Sequence, residues 1–301
     1  SPMRLVLLVT PFARNEHVES ATDLRELRQW VENFGGFVDP KLDLVGEGPS
    51  SGCRGIVATE AIAADVVKAR PLVIIPEALE MNGERARAEL KLPPSARSLD
   101  GLDDGALCVL LLAQEAASPD RLRQSKWRPY LDSLPKEPPC GWVAESSSPT
   151  AALAAETLRA RSYVEAVASG LYEDYGASLG ITTPNHIAWA LGLVTSRSMD
   201  DGARLVPVLD LVNHSPRRAP FTAFSAANFN NLRRLAADDP KAIDFAGTHT
   251  DGKDWCLWSW SHDYATPLPL KPGDELLANY LPDDYSPVDW WVNCGIYPPP
   301  R

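Results

Sequence analysis

The sequence predicts an α+β fold in which strand-rich ends flank a helical middle of about ninety residues. Three observations predict it. Short apolar pieces separated by turn residues occupy 45–73 and return after Ser196. Long stretches with helical spacing lie between Leu102 and Val194. No strand–helix–strand alternation and no Gly-x-Gly-x-x-Gly after a strand occur, which disfavours a doubly wound nucleotide fold.

Taken in order, Thr22 or Asp23 can cap a helix over Leu24–Phe34, with Leu24, Leu27, Trp30, Val31 and Phe34 on one face and Gly35-Gly36 as its stop. Gly55-Ile56-Val57-Ala58, Asp65-Val66-Val67 and Pro71–Pro76 read as short strands between turns. Leu102–Ala117 is a long apolar helix, and Ser125–Pro135 an aromatic, proline-bearing turn. Ala151–Leu179, rich in Ala and Glu, is helical and broken near Gly170. Pro184–Val194 is a further helix, with Ile187, Ala188, Leu191 and Val194 at matching spacing. Strands are expected at Leu205–Val212, Trp255–Ser261 and Glu275–Asn279. Polar loops cover Asp200–Arg204 and Pro216–Arg218, and Asn228–Thr250 is a long exposed loop or a pair of strands.

Charge and cysteine usage narrow the function classes. Lys and Arg number 29 against 40 Asp and Glu, a formal charge of −11 over 301 residues. Such a chain repels phosphate, so a nucleic-acid partner is not expected, whereas a basic protein segment is an open partner. The five cysteines (Cys53, Cys108, Cys140, Cys256, Cys294) are odd in number, far apart and contain no Cys-x-x-Cys. This argues against a disulfide framework or zinc ribbon and for a reducing compartment. The longest apolar runs, Leu5–Val9 and Leu107–Ala113, are far below the roughly 18 residues of a membrane span. Residues 1–21 are expected to form an N-terminal extension, with Ser1-Pro2 before Met3 read as an expression remnant. The expectation is a monomeric, soluble, intracellular protein; cytoplasm, nucleus and plastid are not distinguished.

Three segments carry the candidate chemistry. Val206–Ser215 runs an apolar strand into Asn213-His214-Ser215. Asp210 and His214 are four apart, but the flanking Pro and β-branched residues disfavour a helix and no third ligand is near, so a metal is not expected. Lys271–Tyr280 places a Pro-Gly turn before a strand that ends in Tyr280. Gly52-Cys53-Arg54-Gly55 is a glycine-bracketed turn entering a strand. Each alone reads as a turn, a capped strand or a packed tyrosine.

Their order and spacing together resemble a SET domain. Leu27–Gly36 is similar to the family's opening Trp…Gly-Gly helix, and Ser125–Pro135 to its Ser-x-Trp…Tyr-Leu…Leu-Pro segment. Trp189-Ala190…Val194-Thr195-Ser196-Arg197, Leu205–Ser215 and Gly273-Asp274-Glu275-Leu276…Tyr280 follow the same pattern. The likeness is to the RuBisCO large-subunit methyltransferase-like class, which includes non-histone lysine methyltransferases and an actin histidine methyltransferase, and it spans about 22–297. It implies small curved sheets with a knot-like C-terminal segment and a helical insert at about 100–195. It implies S-adenosylmethionine as methyl donor, S-adenosylhomocysteine as product, and no metal. Gly52, Cys53 and Arg54 would contact the donor through backbone groups, Asn213 and His214 would hold its adenine and methionine ends, and Tyr280 would stand where the methyl transfers. Arg197, Asp210 and Tyr285 would lie beside the substrate.

Three departures from the family pattern stand out. Cys53 replaces a frequent Gly, a costly change if φ is positive there. Asn293-Cys294-Gly295-Ile296 stands where a second tyrosine is usual, leaving Tyr285 or Tyr297 to fill the gap. The helical docking domain of the class is expected to be absent or cut away. The chemistry itself is an in-line displacement at a sulfonium methyl. A free lysine amine, with a pKa of about 10.4, must be deprotonated first. Desolvation and a neighbouring sulfonium both push that pKa down. The expected activity is lysine methylation of a non-histone protein. The alternatives are histidine methylation, since neutral imidazole is already nucleophilic, and an inactive SET module that binds proteins. A cysteine hydrolase built on His214 and Asp210 lacks a nucleophile signature.

Overall fold

A computed structural model of the chain describes residues 21–51, 53–62, 71–143, 150–199, 204–214, 225–226, 255–258, 269–278 and 286–294. They fall into two compact units. One takes in His17–Glu80 and Val206–Leu281, the other Met81–Leu205 and the C-terminal stretch from Pro282. The helical insert expected at about 100–195 thus sits inside a unit that opens at Met81 and also includes the C-terminal helix.

The first unit is built on small sheets. Helix α1 (Ala21–Asn33) starts before the expected cap and buries Leu24, Leu27, Trp30 and Val31. Phe34, read as part of that face, lies past the helix end and is 52% exposed, its ring tilted against Trp30 at 5.8 Å. The Arg28 guanidinium donates to the carbonyls of Val38 and Leu42, which ties α1 to the chain that follows. Strands β1 (Phe37–Val38), β2 (Leu42–Val45), β3 (Gly55–Ala58) and β4 (Pro71–Ile75) come next. β2 and β3 pair antiparallel, Leu42 opposite Ala58 and Val45 opposite Gly55. β1 and β4 join a four-stranded sheet with β8 (Ser225–Ala226) and β9 (Trp255–Trp258), in the order β1-β4-β9-β8, and Leu72–Ile75 are wholly buried. Gly36 marks where α1 turns onto this sheet. A Cβ there would sit 2.6 Å from Val31 Cγ1 and 2.7 Å from the Ile74 carbonyl oxygen. Gly36→Ala is therefore expected to destabilise the protein by about 1–3 kcal/mol through overpacking, read as a lowered midpoint in thermal denaturation.

In the second unit, β5 (Met81–Asn82) runs into α2 (Gly83–Glu89), where Asn82 Oδ1 accepts from the Arg85 amide as N-cap. Helix α3 (Asp104–Glu115) is capped by Asp103 and buried continuously from Leu107 to Glu115, as its apolar run demands. α4 (Pro119–Gln124), capped by Ser118 with Pro119 in its first turn, leads to α5 (Arg128–Asp132). The expected turn at Ser125–Pro135 thus contains a short helix that buries Tyr130 and Leu131. α6 (Ala151–Leu171) runs straight through Gly170, where a Cβ would meet nothing. The helix is interrupted instead by a π-type turn at Tyr172–Gly176 before α7 (Ala177–Leu179). α8 (Pro184–Arg197) extends beyond the expected Val194, and β6 (Arg204–Leu205) pairs with β5. Helix α9 (Pro287–Cys294) buries Trp290, Trp291 and Cys294, and Trp291 Nε1 donates to Thr157 Oγ1 of α6 at 2.8 Å. Among the described residues no helix is long and apolar enough to cross a membrane.

Candidate active site

The first unit continues through a stretch the sequence read as a strand over Leu205–Val212. Pro207 has no N–H to give a ladder, and the chain turns there instead. Val208 has φ 69° and ψ −45°, and the Leu209 amide donates to the Pro207 carbonyl at 2.8 Å, closing a three-residue γ-turn. Val208 is the single described non-glycine residue with positive φ, a strain on the order of 1–3 kcal/mol. Its side chain is wholly buried, so packing holds the turn in place. A 3₁₀ turn at Leu209–Leu211 follows and buries Asp210, and only then does β7 (Asn213–His214) begin.

The C-terminal partner of β7 is β10 (Leu277–Ala278), and the two run parallel with Leu277 opposite Asn213 and Ala278 opposite His214. The chain enters β10 through a β-turn at Lys271–Asp274, with Gly273 at φ 87° and the Asp274 amide on the Lys271 carbonyl. Between turn and strand, Gly273–Leu276 bond to β3. The Gly273 amide donates to the Ala58 carbonyl at 2.7 Å and the Leu276 amide to the Ile56 carbonyl at 2.7 Å. One short segment is thus bonded first to β3 and then to β7, joining pieces of chain far apart in sequence.

Glu275 and Asn213 meet inside this junction. Glu275 is 4% exposed, and its carboxylate accepts four hydrogen bonds. Oε2 takes the amides of Ser50 and Ser51, both at 2.9 Å. Oε1 takes Ser51 Oγ at 2.6 Å and Asn213 Nδ2 at 2.7 Å. Asn213 Nδ2 also lies 2.8 Å from the Arg54 carbonyl and 3.0 Å from Ser51 Oγ. The loop between β2 and β3 is therefore held from within by a buried carboxylate and a buried amide. Gly48 and Gly55 make room for them: a Cβ at Gly48 would lie 2.5–2.6 Å from the Glu275 carboxylate, and one at Gly55 2.8 Å from its Oε1. The outer side of the loop stays accessible, with Glu47, Pro49 and Ser50 exposed.

These positions redraw the sequence-level site. Asn213, expected to hold a cofactor, has its amide nitrogen turned into the loop. Glu275, within the Gly273-Asp274-Glu275-Leu276 motif, is the residue of this site that the sequence pattern does not single out. The available signal was an acid between the Pro-Gly turn and an apolar Leu276-Leu277 pair, an inward position for a carboxylate. Cys53 is half-buried. Its amide donates to Ser51 Oγ at 3.1 Å. Arg54 is buried within the same unit. Arg197 ends α8 in the helical unit, where it too is buried. Gly52, Tyr280, Tyr285 and the side chain of His214 lie outside the described residues, as do Gly295, Ile296 and Tyr297. Among the described residues no group of three or more His, Cys, Asp or Glu is placed to hold a metal ion.

The thiols differ sharply in surroundings. Burial pushes Cys108 up to about 12 and Cys140 higher still, where Cys294 lies close enough to add to the effect. Cys140 Sγ is also bonded to the carbonyls of Gly192 and Asn293. Iodoacetamide at pH 8 is expected to label Cys53 well ahead of Cys108, Cys140 and Cys294, as read by peptide mass spectrometry. Labelling of Cys108 or Cys140 at the rate of Cys53 would contradict this packing.

Comparison with solved structures identifies the fold as that of a SET domain of the Rubisco LSMT type. The structure of Rubisco LSMT bound to AdoMet matches with a TM-score of 0.62 at 19% identity, over 92% of this chain and 57% of that one. The SET domain of LSMT bound to lysine and AdoHcy matches with a TM-score of 0.61 at 18% identity, with the same coverage. Rubisco LSMT bound to sinefungin and monomethyllysine matches with a TM-score of 0.63 at 19% identity, over 92% of this chain and 56% of that one. The chain therefore spans little more than half the length of these neighbours. No family model and no curated protein matches the sequence.

Proposed function

We propose that the protein is an S-adenosylmethionine-dependent protein methyltransferase that modifies a lysine side-chain amine of a non-histone protein. The observation that carries this reading is the junction at Glu275, which gathers the 46–54 loop, β7 and β10 of a SET fold into one buried, hydrogen-bonded unit. The residues fit such a donor. A backbone-rich turn with an accessible outer side suits a zwitterionic, purine-bearing ligand, and here that turn is anchored on its inner side. When bound, S-adenosylmethionine supplies an electrophilic methyl group.

The chain's own residues do the rest. Gly52, Cys53 and Arg54 offer backbone groups to the donor, and Asn213 holds them in position through the Arg54 carbonyl. His214, in β7, and Tyr280, two residues after β10 in the sequence, complete the proposed site. The Tyr280 ring favours positive charge near the methyl, and its hydroxyl orients the attacking amine. We assign Arg197, Asp210 and Tyr285 to recognition of the target. The neighbours solved with lysine and monomethyllysine support lysine as target, and the charge of −11 suits a basic segment around it.

The test is transfer of radiolabelled methyl from S-adenosylmethionine into a lysate of the source organism, followed by acid hydrolysis of the labelled protein. Label recovered as methyllysine supports the reading. Label recovered as methylhistidine overturns the lysine assignment, and no transfer overturns the activity.

A further inference from the structure

We infer that Glu275 is a positioning residue for the cofactor, setting the shape of the 46–54 loop from inside without touching the ligand. The inference rests on the reading of that loop as the S-adenosylmethionine cradle. Four donors converge on one carboxylate, and three of them belong to consecutive loop residues: the amides of Ser50 and Ser51 and the Ser51 hydroxyl. The fourth, Asn213, carries the restraint onward to the Arg54 carbonyl. All the acceptor sites of a carboxylate are used in this way. The loop backbone is thus held at the Ser50 and Ser51 amides by Glu275 and at the Arg54 carbonyl by Asn213. The two glycines that approach the carboxylate most closely, Gly48 and Gly55, stand at either end of the same stretch. A loop so held needs little further ordering when a ligand settles on its outer side, and pre-ordering of this kind is a direct source of affinity.

A neutral amide cannot replace the carboxylate. In Glu275→Gln one of the two oxygens becomes an NH₂ facing donors, so either the Ser50 and Ser51 amides or the Asn213 amide lose their acceptor. Gly48→Ala reaches the same contact from the loop side while keeping the charge, because its Cβ would drive into the carboxylate. Ser51→Ala removes only the hydroxyl bond and leaves the buried acid in place.

The experiment measures S-adenosylhomocysteine affinity by calorimetry for the wild type and the three variants, with amide hydrogen exchange read at Ser50 and Ser51 and at β3. The expected result is a dissociation constant raised about tenfold or more in Glu275→Gln and Gly48→Ala, and about threefold in Ser51→Ala. Exchange at Ser50 and Ser51 should quicken while β3 keeps its protection. A merely structural role would loosen β3 together with the loop, and that pattern overturns the inference. So does Glu275→Gln affinity equal to wild type when the wild type binds. A wild type that does not bind overturns the cofactor reading itself, which separates the two failures. Should Glu275→Gln fail to fold, unchanged affinity in both Gly48→Ala and Ser51→Ala overturns the inference.

Discussion

Asn213→Asp is expected to destabilise the protein by about 3–5 kcal/mol at pH 8, the range for leaving a buried charge uncompensated, and by much less at pH 5. The wild-type amide gives its hydrogens to Glu275 Oε1 at 2.7 Å and to the Arg54 carbonyl at 2.8 Å. The substitution changes few atoms but sets a second carboxyl within hydrogen-bond distance of Glu275 in a buried place. Two such groups cannot both ionise, so the folded pair keeps a proton that the unfolded chain gives up. The folded-state pKa of the pair is raised. Its contribution to stability is present below the ordinary carboxyl range and lost as pH rises through the raised value. Denaturant unfolding at pH 5 and pH 8 measures the difference. Equal loss at both pH values would show that the two groups do not share the buried site. Asn213→Ala, which adds no charge, should be destabilised without this pH dependence.

Tyr280→Phe is expected to lower kcat by about 10²–10³-fold, the scale for removing one well-placed donor at a reacting centre. S-adenosylhomocysteine affinity should stay within a few-fold of wild type. Phenylalanine keeps the ring and its attraction for positive charge, and it deletes only the hydroxyl. A phenol with a pKa of about 10 is a poor base at neutral pH, so the role proposed for the hydroxyl is to orient the amine. Tyr280 follows β10 by two residues in the sequence, and β10 pairs with the strand that carries His214. Single-turnover transfer at saturating donor isolates the step. Turnover equal to wild type would remove Tyr280 from the reacting centre.

Local pattern carried much of the fold into view. α1 followed from the 3.6-residue spacing of Leu24, Leu27 and Val31, and β3 matched the expected Gly55–Ala58 residue for residue. The α3 and α8 segments were legible for the same reason, because burial of a continuous apolar face leaves a periodic record. Where local pattern misled, a specific competitor won. The apolar run Leu205–Val212 looked like a strand, yet Pro207 and the strained Val208 divert it into turns. Gly170 looked like a helix breaker, but it faces open space and the helix loses its regularity later, at Tyr172–Gly176.

The site was legible in its residues and not in its wiring. Asn213 and the Gly52-Cys53-Arg54 turn were both singled out by motif, but nothing in their spacing shows that the Asn213 amide closes on the Arg54 carbonyl. Glu275 was hidden for the same reason. Its four donors come from Ser50, Ser51 and Asn213, and such long-range pairing leaves no periodic mark.

Titration of the wild-type protein with S-adenosylhomocysteine in a calorimeter reads the proposed cofactor site without requiring its protein target. A single site per chain, with a dissociation constant in the micromolar range, about −8 kcal/mol, and protection of Cys53 from iodoacetamide on binding, is the predicted result. No heat of binding at millimolar ligand, with Cys53 labelled equally fast in its presence, would contradict it.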